Sequence, residues 1–335
     1  MDPKITKIVS NTKYIPYFSF GDHFNEDYSS SSAPSNINIS INIVKDFTRP
    51  DGLTQKFQNC YGSDTEDEIY FERHLGLGIK AKLHIKKILY MSEITVNRAY
   101  HRYVRFRIDN VYPPGIHLSD ILSVNLLEGG YVPVHCAAIS LENEAILLIA
   151  PPNTGKTLTT ILALERGFNY ISEDIAVVDK ENVYANPYTS TFNHYEDDTN
   201  QKKGLFRSIS HNIPLITYFV RSSKTNTATN LLKSSKIAHK VKIKKIFILN
   251  RGLNDGIVKI EPDDALRKIL IINRNEFSYH KNPILFAYSY FNPALDINKL
   301  MTVEERIFQN IIDNTDCFLL SSNEPKQYIK LIMKT

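Results

Sequence analysis

The chain has 335 residues, 42% hydrophobic and 23% charged, with 19 Tyr and 17 Phe, which is ample for a core and excludes a disordered or fibrous chain. Its net charge of +4 suits an anionic ligand such as a nucleotide but does not argue for nucleic acid. The cysteines, Cys60, Cys136 and Cys317, are three and far apart, which argues against a disulfide framework; they read as reduced, buried thiols without metal-ligand spacing.

MDPKITKIVSNTKYIPYF has no long apolar core after its basic residues, and no stretch nears 18 apolar residues. The expectation is a cytoplasmic protein with no membrane partner. Residues 1–112 then read as a mainly antiparallel β accessory or substrate domain. NINISINIV alternates polar and apolar residues, EIYFER and IKAKLHIKKILYM are strand-like around GLG, and RYVRFRIDN alternates again. The loop YSSSSAPSN precedes the first of these.

Residues 113–335 read as a second, α/β domain. PPGIHLSDILSVNLLEGG carries Ile116, Leu118, Ile121, Leu122, Val124 and Leu127 at helical spacing, between a proline pair and a glycine pair. VPVHCAAISLENEAILLIA is two apolar runs around the polar turn LENE, hence a β-hairpin. KTLTTILALERG is a short helix ending at Gly167. FNYIS and EDIAVV are strands, followed by a turn at 179–182 and another strand. Residues 193–206 form a polar loop. PLITYFVR and KIKKIFILN are later strands, and EPDDALRKILIINR and TVEERIFQNIIDNT are helices.

The chemistry concentrates after the hairpin. A phosphate-binding loop reads G-x-x-x-x-G-K-[ST]. Here the eight positions run from Ala150 to Thr157 and end in Gly155, Lys156 and Thr157, with alanine in place of the first glycine. Alanine tolerates positive φ poorly, so the strand must leave through an ordinary conformation or carry strain. The candidate nucleotide-contacting residues are Pro152, Asn153, Thr154, Gly155, Lys156, Thr157 and Leu158. Their backbone amides and the helix N-terminus would face an anion, Lys156 would reach the outer phosphates, and the Thr157 hydroxyl would ligate Mg²⁺. An ordinary strand–turn–helix capped by a threonine is the bland alternative.

Ser172, Glu173 and Asp174 end the strand after the loop's helix. A right-handed crossover would set that strand beside the loop's strand, at the end where ligands bind. An acidic pair at a strand end is ordinarily a solvated turn. Beside a phosphate loop, one acid can hold the metal while the other takes a proton from an attacking hydroxyl. Arg251, at a strand exit, and the basic run from Lys233 to Lys245 are weaker candidates, more simply read as surface residues.

These residues resemble the catalytic core of the HPr kinase/phosphorylase group, which shares the phosphoenolpyruvate carboxykinase-type P-loop fold. The resemblance covers residues 130–180 closely, through His135 on the preceding strand, Gly155-Lys156-Thr157, Arg166-Gly167, and Glu173-Asp174. It implies a mixed sheet with hairpins and an ATP- and Mg²⁺-dependent kinase acting on a serine-type hydroxyl of a peptide, protein or small molecule. It also implies catalytic roles for His135, Lys156, Glu173 and Asp174, and metal contacts from Thr157 and Asp174. The first acid of the group is an Asp acting as base; here Glu173 is one methylene longer. The signature by which HPr kinases grip their protein substrate is not found, so HPr is not the expected acceptor. Relatives commonly assemble, so a homo-oligomer is implied as well. A non-catalytic nucleotide-binding regulatory or assembly module is the alternative, ahead of a carboxykinase or a plain NTPase.

Overall fold

Alternation of side chains builds the first sheet. The computed structural model describes residues 5–12, 36–105, 114–186, 188–189, 226–227 and 236–335. Strand β1 (Thr6–Ser10) runs parallel to β2 (Ile37–Val44). Within β2, Ile37, Ile39 and Ile41 are buried while Ser40 and Asn42 are exposed, as one buried face requires. The sheet continues through β3 (Thr54–Phe57), β4 (Cys60–Gly62), β5 (Glu68–Gly76), β6 (Ile79–Lys86) and β7 (Met91–Asn97), in the order β1-β2-β7-β6-β5-β4-β3. The pairs from β7 to β3 are antiparallel, whereas β2 and β7 are parallel, so the sheet is mixed.

The strand predicted over RYVRFRIDN gives way, as far as it is described, to helix α1 (Arg98–Arg105). The cause is local: the Asn97 side chain accepts the Tyr100 amide at 2.9 Å, capping a helix start where alternation alone suggests a strand. Helix α2 (Pro114–Glu128) follows and ends at Gly130, whose φ is 79°. The predicted strand PLITYFVR, the polar stretch 193–206 and the loop at 28–35 lie outside the described residues.

The second sheet is also mixed. It contains β8 (Val132–Leu141), β9 (Glu144–Ile149), β10 (Asn169–Ser172), β11 (Ile175–Val178) and β12 (Asn182–Tyr184). After a separate two-stranded pair, β13 (Tyr188–Thr189) with β14 (Asn226–Thr227), it is completed by β15 (Lys240–Arg251), β16 (Gly256–Lys259) and β17 (Asp316–Ser322). The predicted hairpin is β8–β9; Glu142 and Asn143 at its turn have φ of 51° and 65°, the pattern that matches strand twist. Helix α3 is Lys156–Leu164. Later helices are α4 (Pro262–Glu276), α5 (Pro283–Phe291), α6 (Ile297–Asp313) and α7 (Tyr328–Ile332).

Successive residues of β8 face opposite layers. Val134 and Cys136 join a core with Leu122 of α2, Ile269 of α4 and Ile311 of α6, and that core continues to Ile39 and Leu83 of the first sheet. Ala137 and Ile139 face the other side, with Ala163 of α3 and Ile329 of α7. All three cysteines are free and buried. Among the described residues no helix is long and apolar enough to cross a membrane.

Candidate functional site

Contrary to the crossover expectation, the strand after the loop's helix does not lie beside the loop's strand. Strand β9, which feeds the candidate loop, is flanked by its hairpin partner β8 and by β15, parallel to it. Strand β10, after α3, pairs antiparallel with β8 instead. The hairpin takes the place beside β9, so the acids reach the loop across β8, the strand that carries His135.

The loop's backbone resolves the missing glycine. Ala150 is buried and is not among the residues with positive φ, which in this loop are Asn153 (61°) and Gly155 (116°). Asparagine tolerates the left-handed region better than most L-residues, so the turn is made one step past the prolines without an alanine in a forbidden region. Gly155 has a second constraint: a Cβ there would lie 2.6 Å from Cβ of Pro325, which leans on the loop from the segment before α7. Pro152 and Asn153 are exposed, Thr154 is buried, and Leu158 is half-buried in the first turn of α3. Thr154 is spent within the loop, donating to Pro151 O at 2.8 Å.

No side chain caps the start of α3 at Gly155. The first amides of a helix have no partner inside it, and with left-handed residues before them they form a concave cluster of donors suited to an anion. Lys156 is buried and turns back into the loop, donating from Nζ to Ala150 O at 2.8 Å and meeting His135 Nε2 at 2.8 Å. Burial pulls its ammonium below the ordinary lysine range, opposed most by the Asp174 charge. Burial, and then Lys156, push His135 down to about 3, so its imidazole is neutral at physiological pH.

The two acids differ. Glu173 is 1% exposed, and Thr157 donates to its Oε1 at 2.6 Å. The Asp174 side chain is 49% exposed, and its Oδ1 lies 3.6 Å from His135 Nδ1. On the same side lies Glu276, the last residue of α4, with Oε2 3.9 Å from that nitrogen. Burial, reinforced by the charge of Asp174, raises the Glu276 carboxyl above its usual range. Asn273, one turn earlier, accepts the His135 backbone amide at 3.1 Å.

The structure therefore brings His135, Lys156, Thr157, Glu173 and Asp174 together and adds Glu276 and Asn273, which motif reading missed. A signal was present. Ala265, Ile269 and Asn273 lie four residues apart on the buried stripe of α4, and a polar residue on such a stripe needs a reason. Arg251 stays apart, its Nη1 donating to Asn323 O at 2.7 Å. In the basic run, Lys240, Lys242 and Lys244 occupy exposed alternate positions of β15, a solvated strand face.

The uncapped start of α3 is suited to an anion, with the Lys156 cation turned in beside it against Ala150 O and His135 Nε2. The Thr157–Glu173 pair suits Mg²⁺, which takes one or two protein oxygens and completes its shell with phosphates and water. Among the described residues no three His, Cys, Asp or Glu side chains gather as a metal-binding group, the further ligands a carboxykinase requires.

No family model matches the chain, and no curated protein matches it. It is similar to a solved structure of the HPr(Ser) kinase/phosphatase from Coxiella burnetii, at 10% identity and a TM-score of 0.24, over 38% of this chain and 77% of that one. At that extent the likeness carries no argument.

Proposed function

We propose that residues 150–157 bind the phosphates of ATP with Mg²⁺, and that the chain transfers the terminal phosphoryl group to a hydroxyl of a peptide or small molecule. One observation carries this: a buried lysine at an uncapped helix start, with a hydroxyl–carboxylate pair and a second acid converging beside it. Lys156 and the loop amides hold the phosphate oxygens and stabilise the charge that develops on them. Thr157 and Glu173 hold the metal, which when bound neutralises phosphate charge. Asp174 is the base. This division of the acids differs from the one the resemblance implies, and it is favoured because Glu173 is buried against Thr157 whereas Asp174 is open to an incoming acceptor. Asp174 takes the hydroxyl proton as that oxygen bonds to the terminal phosphorus and the bond from phosphorus to the nucleoside diphosphate oxygen breaks.

The test is calorimetric titration with MgATP alongside transfer of ³²P to candidate hydroxyl substrates, for the natural chain and Lys156→Ala. The variant should bind at least about 100-fold more weakly, the worth of a lost charge-assisted contact or two, and transfer nothing. A Lys156→Ala chain that still moves the label overturns the proposal. Tight binding by the natural chain without transfer to any hydroxyl selects the non-catalytic module instead.

A further inference from the structure

The hydrogen-bond inventory around His135 fixes where its proton sits. An ammonium group only donates, and Lys156 already gives one hydrogen to Ala150 O. The 2.8 Å contact with His135 Nε2 therefore makes that nitrogen the acceptor. A neutral imidazole then carries its hydrogen on Nδ1. That atom is buried and makes no hydrogen bond among the described residues, although His135 is only 5% exposed. Leaving such a donor unmatched costs about 1–3 kcal/mol. The oxygens that face it are Asp174 Oδ1 at 3.6 Å and Glu276 Oε2 at 3.9 Å.

We propose that Glu276 is a positioning residue of this site, holding His135 as the Nδ1–H tautomer so that Nε2 remains an acceptor for Lys156. The proposal rests on the reading of residues 150–157 as a phosphate site. Asp174 cannot fill this role alone. Its side chain is 49% exposed, against 31% for Glu276, and it stands in the turn after β10 rather than on a pinned helix end. Glu276 faces Nδ1 from the more buried side of the site.

The end of α4 is built to stay in place. Asn273 Oδ1 accepts the amide of His135 itself, and Asn273 Nδ2 donates to Glu304 Oε1 at 2.8 Å. Glu304 of α6 is fully buried, and its other oxygen accepts from Arg274 Nε at 2.9 Å and from the Tyr279 hydroxyl at 3.1 Å. Glu276 follows Asn273 by three residues, hence on the same face of the helix. Asn273, Glu304 and Tyr279 thus fix the helix end against His135.

The experiment needs no nucleotide, so its outcome is separable from that of the kinase test. The full chain is labelled with ¹⁵N-histidine, and the ring nitrogens of His135 are observed by long-range proton–nitrogen correlation, assigned by their loss in His135→Gln. The natural chain should show a protonated Nδ1 and an unprotonated Nε2. Glu276→Ala should raise the Nε2–H population relative to Nδ1–H about two- to fivefold, the size of a charge interaction across 3.9 Å, and Glu276→Gln, which keeps the shape but not the charge, should move the ratio the same way but less far. The His84 signals should not move in either variant, a sign that the fold is intact. An Nε2–H tautomer in the natural chain overturns the proposal whether or not the variants fold, and so does an unchanged ratio in Glu276→Ala.

Discussion

Each of the two large sheets buries a histidine on one of its strands, and the two are satisfied differently. His84 in β6 meets Glu68 of β5 across the strand pair, Nε2 to Oε2 at 2.7 Å. Its neighbours on the exposed face are matched in the same way: Lys80 with Glu72 at 2.6 Å, and Lys82 with Asp46 at 2.9 Å. In the second sheet His135 has its backbone amide and Nε2 engaged, while Nδ1 is turned toward two carboxylates just beyond bonding distance. Burial lowers the pKa of both rings, but only His84 has an opposing bond to a carboxylate. Paired polar groups stabilise a sheet and leave nothing over for a ligand. Unpaired ones cost stability and stay available, which is the mark of a site.

The largest test of this contrast compares glycines. Gly155→Ala should lose about 3 kcal/mol, from left-handed strain together with the clash against Pro325, and should also weaken MgATP binding. Gly76→Ala, in the β5–β6 turn with φ of 98° and open space around it, should lose only about 1 kcal/mol and leave binding untouched. Urea unfolding and calorimetry read both, and equal losses would erase the distinction between the regions. Next, Glu68→Ala should cost about 2 kcal/mol by leaving His84 buried without its partner, with no change in nucleotide affinity. A change in affinity would mean that the first sheet is not merely structural.

The last test is read in the pH dependence. His135 titrates at about 3 in the folded chain and near 6.5 when unfolded. Between those values the unfolded state binds a proton that the native state refuses, so stability must fall as the pH drops from about 6.5 toward 3. The slope attributable to this ring is at most about 1.4 kcal/mol per pH unit. His135→Gln should remove that share of the slope between pH 6 and 4 in urea titrations. An unchanged slope would mean the ring is protonated in the folded chain.

Much of the site could be read from the chain because its signals are local. Gly155-Lys156-Thr157 after an apolar run, two acids closing the following strand, and the polar LENE turn all lie close together in the chain, Glu173 only 16 residues beyond its partner Thr157. The strand neighbours were not legible. Alternation in NINISINIV says that one face is buried but carries no direction, so the parallel run of β1, β2 and β7 is invisible to it. Likewise, nothing local says that β10 will pair with β8 rather than lie beside β9. Glu276 was hidden for the same reason. It lies 141 residues from His135 in the chain, and only the packing of α4 over the second sheet brings the two together.

The β8–β9 hairpin has a mechanical consequence. Its register sets Cys136 opposite Ile149, so His135 and Ala150 stand at one end of the ribbon while Glu142 and Asn143 close the other, roughly 20 Å away. A strand slipped by one residue presents every side chain to the opposite layer. A single-residue insertion or deletion at that distant bend that shifts the pairing by one would turn the imidazole into the other layer, removing the partner of Lys156 without changing any residue of the 150–157 loop.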